Sequence, residues 1–402
     1  MRTLPFIRFA WLLPMLLSVQ ACDLLTVEPD CPQAKKAITE AQNEFAFRML
    51  REVSQDAQPG DNLFISPLSI QMALGMTANG AVGETREEML RALGTDAFRI
   101  EELNEANRSA LCRLASLDPR VKAALANSVW IREGFPVHQA FIDLVETEYS
   151  AEVRTENFGD PGAVDLINQW ASDHTEGKID EILESISPDY VMFLINAIYF
   201  EAPWRRAFDP DLTQESLFTR PDGSQVNCQM MNGKKGYLGY QDAEVTIADV
   251  PYGKESAFSM TLIAPEYGKS ADSLLAQFDE QRWDAWTSLL DTTSLELFMP
   301  KLELDAEYDL IPALWRMGMQ RAFQDNAEFS SLTDQSVMID LVKHNSYLKA
   351  DEAGTTAAAV TTVGIVETSL PPALRFDRPF LLAIRERATN QILFLGVIRD
   401  PS

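Results

Sequence analysis

The spacing of apolar positions divides the chain into an early part of helices and a later part of strands. Between residues 34 and 53 apolar side chains recur at the helical period, and similar spacing predicts helices at 68–79, 84–93, 100–117, 163–174 and 310–317. Alternating or short apolar runs predict strands at 122–131, 191–200, 246–250, 259–263 and 294–299.

The last sixty residues continue the strand pattern. Residues 340–349 alternate, 376–385 form an apolar run, and 391–398 form its predicted hairpin partner across a short polar turn. Because helices come first and strands later, without regular alternation of the two, we predict an α+β fold with large, mainly antiparallel sheets.

One segment, residues 350–372, combines the composition of a buried strand with the ends of an exposed loop. Residues 355–366 contain no charge and no proline and are mainly Thr, Ala, Val and Ile, which favours β-structure. Glu352 and Gly354 precede this stretch, and Pro371 and Pro372 follow it, as is typical of a flexible joint and a turn. The segment is therefore predicted to be a strand that is held outside its sheet and can change place.

The amino terminus predicts export. Arg2 and Arg8 precede the apolar run 9–19, which is too short for a membrane span and typical of a signal peptide at 1–21. The end of this run resembles a bacterial lipoprotein signal, which makes Cys22 the lipidation site. Ordinary cleavage near Ala21, with Cys22 as a free or paired thiol, is the alternative. We expect a protein that is lipid-anchored in the cell envelope or secreted.

The net charge limits the partners that the protein is expected to bind, and the cysteines limit its expected metal and disulfide sites. The 402-residue chain carries a net charge of −26, and loss of Arg2 and Arg8 with the signal gives −26 − 2 = −28. We therefore expect no nucleic acid as a partner, polyanionic glycans are poor partners, and contact with a membrane is expected only through the lipid. Cys31, Cys112 and Cys228 have no metal-site spacing, and we expect no disulfide framework.

The organisation of the chain is predicted to be simple. Residues 22–34 form a spacer and 35–402 one domain, because no repeat or low-complexity linker divides them. We expect a monomer. The chain has three histidines, His138, His174 and His344, and no motif of a hydrolase, metalloprotease or phosphate-binding loop. We predict that the protein is not an enzyme, with no catalytic residues, cofactor or metal.

Five motifs in order resemble one family, the serpins, from about residue 34 to 402. They are the segment 62–70, the stretch that follows it with 73–76 and 80–85, the turn 177–179, the strand 196–200 with Trp204 and Phe208, and the signature 376–384. The resemblance implies the serpin fold: three β-sheets, about eight or nine helices, a metastable uncut state and an exposed reactive-centre loop at about 353–374.

The resemblance also assigns roles to individual residues. Lys301 and Glu352 match an ion pair at the top of the central sheet, in the region called the breach, where Trp204 packs. Ser66, Asn196 and His344 match the shutter, where the sheet opens. The hinge of the loop corresponds to Glu352, Gly354, Thr355, Thr356, Ala357, Ala358 and Ala359, and the reactive bond to Thr368 and Ser369.

The function implied is that of a suicide substrate for serine proteases. A target protease cleaves between Thr368 and Ser369, is trapped as a covalent acyl-enzyme, and is carried along as the loop inserts into the central sheet. Val366, Glu367 and Thr368 precede the cut, so elastase-like or subtilisin-like proteases with small apolar pockets fit best.

Three alternatives stay open at this point. Cleavage after Glu367 or Val366 would change the target, and a cut after Glu367 would indicate a glutamyl-specific protease. The protein could inhibit cysteine proteases instead. A non-inhibitory chaperone or carrier is the last alternative, against which the uniformly small residues 355–359 argue.

Overall fold

Nine helices lie within the residues that the computed structural model describes, which are 31–234, 237–293, 296–355 and 373–402. They are α1 (Lys36–Ser54), α2 (Pro67–Gly80), α3 (Gly83–Ala92), α4 (Ile100–Ser116), α5 (Gln139–Tyr149), α6 (Gly162–His174), α7 (Ala271–Ala276), α8 (Glu280–Ser288) and α9 (Ile311–Arg316).

The same residues contain seventeen strands. They are β1 (Leu63–Ile65), β2 (Lys122–Arg132), β3 (Glu152–Glu156), β4 (Met192–Pro203), β5 (Gln214–Thr219), β6 (Gln225–Gly233), β7 (Tyr237–Gln241), β8 (Val245–Pro251), β9 (Phe258–Pro265), β10 (Asp291–Thr293), β11 (Glu296–Pro300), β12 (Leu302–Asp309), β13 (Lys343–Ala350), β14 (Gly354–Thr355), β15 (Ala373–Arg375), β16 (Phe380–Glu386) and β17 (Ile392–Ile398).

Three sheets organise these strands. A seven-stranded antiparallel sheet has the order β1-β17-β16-β9-β8-β7-β10, and a four-stranded sheet has the order β15-β11-β6-β5. The third sheet has six strands, in the order β12-β13-β14-β4-β2-β3. This α+β architecture agrees with the prediction from sequence.

Helix α2 forms the centre of the core. The side chain of Ser66 accepts a hydrogen bond from the N–H of Ser69 and caps the helix, and Pro67 occupies its first position, where the missing donor costs nothing. Gly75 is needed for close packing, because a Cβ there would lie 2.8 Å from the hydroxyl of Tyr149. The helix therefore packs closely against α5, and on its other side Ser69 bonds Asn196 of β4 in the six-stranded sheet.

Helix α6 covers the opposite face of that sheet. Its residues Ile167 and Trp170 form a second apolar cluster with Trp130 of β2 and Phe193 of β4. A connector of residues 175–191 then leads from α6 to β4. The six-stranded sheet is thus enclosed between α2 below and α6 with its connector above.

The expectation of no disulfide framework was wrong for one pair. Cys31 and Cys112 form a disulfide, with their Cα atoms 5.7 Å apart, while Cys228 is a buried free thiol. Residues 31–35 lie along α4, where the hydroxyl of Ser109 donates to the carbonyl of Pro32. The two cysteines are 81 residues apart, so their pairing depends on how this segment packs, which no sequence spacing reveals.

Within the part of the chain that the structure describes, no helix is long and apolar enough to cross a membrane. The predicted signal peptide 1–21, Cys22 and most of the predicted spacer lie outside the described residues.

Candidate functional site

The start of the predicted hinge is already a strand of the six-stranded sheet. Gly354 pairs with Pro203 and Thr355 with Ala202 of β4, and Thr355 also pairs with Ala350 of β13. The two residues of β14 therefore occupy the top of the space between β4 and β13. Both are buried, and Thr355 is only 2% exposed.

Gly354 is the residue that the backbone requires at this point. Its φ is +152°, and a Cβ built on it would lie 2.2 Å from the carbonyl oxygen of Ala202 and 2.6 Å from Cα of Pro203. Since these obstacles are backbone atoms, a side chain could not be accommodated by a rotamer change. Only glycine lets the chain turn into the sheet this close to β4.

Aromatic side chains form the floor beneath the docked hinge. Trp204 stacks on Tyr252 with ring centroids 4.4 Å apart, and Phe200 meets the Tyr252 ring edge-to-face at 5.0 Å. The indole N–H of Trp204 donates to the carbonyl of Asp351 at 2.7 Å. Trp204 therefore contacts both the aromatic floor and the backbone that leads into the hinge.

Glu352 is anchored on three sides. Its carboxylate accepts from Nζ of Lys301 at 2.9 Å and from the hydroxyl of Thr213 at 2.7 Å, and its carbonyl accepts from the N–H of Phe208. Burial opposes ionisation, but the hydrogen bonds from Lys301 and Thr213 outweigh it and lower the pKa of the Glu352 carboxyl. Lys301 and Glu352 thus lie together, as expected for the breach.

Below the hinge a groove separates β4 from β13, which pair with each other nowhere along their described lengths. Directly under Thr355 the groove is narrow, with a cavity of about 10 Å³ beside Phe200, Ile198 and Tyr347. Farther down it widens to about 630 Å³ between residues 192–196 and 341–345. Among the described residues, β14 closes the top of this slot between the two strands.

Two of the predicted shutter residues, His344 and Ser66, connect β13 to α2. His344 is 5% exposed, and its Nε2 accepts a hydrogen bond of 2.9 Å from the N–H of Ser66. Because Nε2 is the acceptor, the proton of the neutral ring is on Nδ1. The hydroxyl of Ser66 donates to the carbonyl of Leu393.

Asn196 lies on the other wall of the groove. Its amide donates to Oδ1 of Asn127 on β2 at 2.6 Å, and its Oδ1 accepts from the hydroxyl of Ser69 on α2. Asn196 and His344 both line the wide part of the groove. The structure therefore places Asn196 and His344 on the two walls of the wide part of the groove, with Ser66 beside it through its bond to His344.

The connector bridges the groove on the outer face of the sheet. Glu176 lies 3.0 Å from Nζ of Lys122 on β2, and the hydroxyl of Tyr199 on β4 donates to Glu176 at 3.3 Å. On the other side, Nζ of Lys178 lies 5.8 Å from the ring centroid of Tyr347 on β13. The connector thus holds both walls of the groove.

Several predicted site residues lie outside the described residues. These are the remaining hinge positions Thr356, Ala357, Ala358 and Ala359, the specificity residues Val366 and Glu367, the reactive bond Thr368–Ser369, and Cys22. Their roles stay predictions.

Sequence reasoning missed four residues that complete the site. Thr213 binds Glu352, Tyr252 lies beneath Thr355, and Ser69 and Asn127 hold Asn196. Thr213, Tyr252 and Asn127 make these contacts with residues far away in sequence, and no local motif marks them, whereas Ser69 lies within the segment 62–70. Tyr252 could have been suspected only as an aromatic residue two positions after the predicted strand 246–250.

Comparison with known proteins identifies this geometry. The family model described as Serpin (serine protease inhibitor) matches residues 40–401. Heparin cofactor 2 of the rabbit, Oryctolagus cuniculus, is 30% identical over 365 residues, which cover 89% of this chain and 76% of the relative.

Two solved structures are similar along nearly their whole length. Human thyroxine-binding globulin, in complex with thyroxine, is 30% identical with a TM-score of 0.83 and covers 91% of this chain and 99% of that chain. The native state of the thermophilic serpin tengpin is 29% identical with a TM-score of 0.83, over 92% of this chain and 96% of that chain.

The chain belongs to the serpin family. The predicted fold, with three sheets and nine helices among the described residues, is therefore confirmed. Serpins are mainly inhibitors of serine proteases and in some cases carriers, not enzymes, which also confirms that this protein is not an enzyme.

Proposed function

We propose that the protein is an inhibitory serpin that traps serine proteases by inserting its cleaved loop into the groove between β4 and β13. The observation that carries this proposal is the docked start of the loop, because Gly354 and Thr355 already pair with strands on both sides. The sheet is thus primed to receive the residues that follow.

The register of the docked residues predicts where the inserted strand would lie. Six residues beyond Thr355, Thr361 would come opposite Asn196 on β4 and His344 on β13, since both pairings are antiparallel. At the same register Ile365 would reach Met192, the first residue of β4. The uncharged segment of the loop is therefore as long as the strand it would pair with.

The width of the groove supports the same register. The narrow part beside Phe200 and Ile198 would receive Ala357 and Ala359, whereas the wide part at 192–196 would receive the larger Val363 and Ile365. Side-chain size along the loop follows cavity size along the groove. Close packing of this kind favours a single inserted arrangement.

The chemistry of trapping follows the ordinary course of serine proteolysis until the loop moves. The protease serine attacks the carbonyl of Thr368, the amine of Ser369 leaves, and an ester joins the protease to Thr368. Insertion of about a dozen residues, at roughly 1 kcal/mol per net backbone hydrogen bond and with apolar burial in addition, is comparable to the stability of a protease domain. Insertion before water attacks the ester would therefore distort and trap the protease.

The target class follows from the residues before the bond. Thr368 is small and β-branched, and no Lys, Arg or aromatic residue occurs between Glu352 and Leu374. We therefore propose elastase-like or subtilisin-like targets, one protease per inhibitor monomer.

The proposed site of action is outside the cytoplasm. The Cys31–Cys112 disulfide supports export, because disulfides persist in oxidising compartments. A lipid on Cys22 would tether the domain 35–402 through the spacer 22–34, with the disulfide only nine residues beyond Cys22.

The experiment that tests this function incubates the mature protein with elastase-like, subtilisin-like, trypsin-like and glutamyl-specific serine proteases and with a papain-like cysteine protease. A complex that resists SDS with the first two classes, and a released peptide that begins at Ser369 by mass spectrometry, is expected. Cleavage of the loop by every protease without a stable complex would show that the protein is a non-inhibitory serpin.

Loop insertion has its own readout, independent of the protease. The midpoint of thermal unfolding of the loop-cleaved protein should rise far above that of the uncut protein, because the inserted strand fills the groove. An unchanged midpoint would exclude insertion even if a complex formed.

A further inference from the structure

The hydroxyl of Tyr252 lies fully inside the protein, and its partner is supplied by the loop. Tyr252 is 0% exposed, and its hydroxyl lies 2.7 Å from Oγ1 of Thr355, with either oxygen able to donate. Among the described residues Thr355 is the hydrogen-bond partner of this hydroxyl. Burial raises the pKa of Tyr252 well above its ordinary value, so the hydroxyl keeps its proton and needs an acceptor.

The surroundings of Tyr252 offer its hydroxyl few other hydrogen-bond partners. Trp204 covers one face of the ring and Phe200 meets it edge-to-face, and Trp204 directs its own N–H to Asp351. Without Thr355 the hydroxyl would lie at the closed upper end of the groove among aromatic rings. An unpaired buried hydroxyl is costly, so docking of Thr355 relieves a local instability of the open sheet.

We propose that Tyr252 is a positioning residue for loop insertion, whose buried hydroxyl captures Thr355 and so holds the first inserted residue in register. The inference rests on the proposed inhibitory function and deepens it. Capture fixes the pairing of Thr355 with Ala202 and Ala350, and each later residue follows from that register. The side chain at position 355 must therefore be small and must carry a hydroxyl.

Tyr252 has a different role in docking the hinge from its neighbours Glu352 and Gly354. Glu352 is held by side chains outside the sheet, and Gly354 allows the turn through its backbone. Tyr252 acts only after the backbone has entered, on the side chain that faces the core. Its loss should leave recognition of the loop by the protease intact, and should change only how firmly residues 354–355 are docked and what happens after cleavage.

The test compares Tyr252→Phe, Thr355→Val and Thr355→Ser with the parent protein, measuring the number of inhibitor molecules consumed per trapped protease. Tyr252→Phe and Thr355→Val should each raise this number several-fold, at an unchanged rate of first cleavage. Thr355→Ser should behave as the parent, and the double variant should be no worse than either single variant, because both remove the same hydrogen bond.

Tyr149→Phe is the matched control, since it removes a buried hydroxyl that bonds Asn104 and Asn107 in the helical layer. It should lower thermal stability without changing the number of inhibitors consumed. Equal consumption by Tyr252→Phe and the parent, or additive effects in the double variant, would overturn the proposal.

Hydrogen exchange of the uncut protein distinguishes this failure from failure of the proposed function. The amides of 354–355 should exchange at least several-fold faster in Tyr252→Phe than in the parent, whether or not any protease is trapped. If the parent forms no complex but exchange still responds, the inhibitory function fails and the docking role of Tyr252 stands. Unchanged exchange overturns the docking role.

Discussion

The N–H of Ser66 donates a 2.9 Å hydrogen bond to Nε2 of His344 and so joins the start of α2 to β13. This bond can exist only while Nε2 is unprotonated. Burial lowers the pKa of His344 to about 4, which keeps the ring neutral. The link between the helical layer and one wall of the groove is therefore sensitive to acid.

The stability of the uncut protein should decrease in mild acid because of His344. An unfolded histidine titrates near 6.5, so the unfolded chain takes up a proton first as the pH falls. The contribution is complete above pH 6.5 and is lost as the pH falls from 6.5 towards 4, by about 3 kcal/mol in total. Urea unfolding between pH 7 and pH 5 measures the loss.

His344→Gln should abolish most of this pH dependence, because glutamine accepts from Ser66 without titrating. His138→Gln, at a partly exposed site, is the control and should retain it. The same slope between pH 6.5 and 5 in His344→Gln and the parent would contradict the assignment.

Ionisation of Glu280 should lower the stability of the folded protein as the pH rises, which is opposite to the effect of His344. Its carboxyl is raised to a pKa of about 8, first by burial and then by the nearby carboxylates Asp284, Glu40 and Glu44, against a hydrogen bond with Asn43. One of its oxygens is buried without a hydrogen-bond partner. Because the folded pKa exceeds the unfolded value of 4.5, this contribution to stability is complete below pH 4.5 and is lost as the pH rises through 8.

Glu280→Gln should therefore stabilise the protein at pH 8 by roughly 1–3 kcal/mol, since the amide needs no deprotonation in a buried site. The midpoint of thermal unfolding at pH 6 and pH 8 measures the gain, with Glu101→Gln at the exposed start of α4 as the control. A variant that is less stable than the parent at pH 8 would show that the carboxylate makes a favourable contact.

Thr355→Arg should convert the inhibitor into a substrate. Thr355 is 2% exposed and faces Tyr252, so an arginine could enter the sheet only by burying its charge. The protease should cleave the variant as fast as the parent but escape, and the complex on SDS gels should be replaced by cleaved inhibitor.

Thr356→Arg is the neighbouring control. Side chains alternate along a strand, so a residue that follows Thr355 would face away from the core in the inserted strand. This variant should keep most of the inhibition. If both arginine variants inhibit normally, the inserted residues do not begin at Thr355.

Loss of the Cys31–Cys112 disulfide should destabilise the uncut protein. The bond closes a loop of 81 residues and holds residues 31–35 on α4, so Cys112→Ser should cost about 2–4 kcal/mol. Differential scanning calorimetry measures the change, and Cys228→Ser, which removes the free thiol, is the matched control. Equal stability of Cys112→Ser and the parent would mean that the segment adds nothing to the fold.

The sequence predicted those elements whose signals are local. Helix α2 has the cap Ser66 and a Pro at its first position, and β16 and β17 are apolar runs joined by a short polar turn. Strand β5 was missed because its side chains are mostly polar or exposed, whereas α5 was missed although Phe141, Val145 and Tyr149 recur at the helical period on its buried face. Local pattern was thus informative mainly where a cap, a clear period or a continuous apolar run was present.

The residues of the candidate site likewise fall into those with a local sequence signal and those without one. The hinge composition of 352–359 could be read directly, and the resemblance assigned Ser66, Asn196 and His344 to the shutter and Trp204 and Lys301 to the breach. Tyr252, Thr213 and the disulfide could not be predicted, because each depends on contact between segments about 80 residues or more apart. Such contacts follow from packing, which the pattern of a single chain does not encode locally.

The connector over the groove also affects how long the uncut protein keeps its loop outside the sheet during storage. Glu176 and Lys122 form their ion pair at the surface, where dissolved salt screens it, and this pair fastens one side of the connector. An uncut molecule that inserted its own reactive-centre loop would no longer present that loop to a protease. Because the connector lies over the groove that the loop would enter, the rate of this loss depends on how firmly the connector is held. We expect stored protein to lose inhibitory activity faster as ionic strength rises, even where it remains folded.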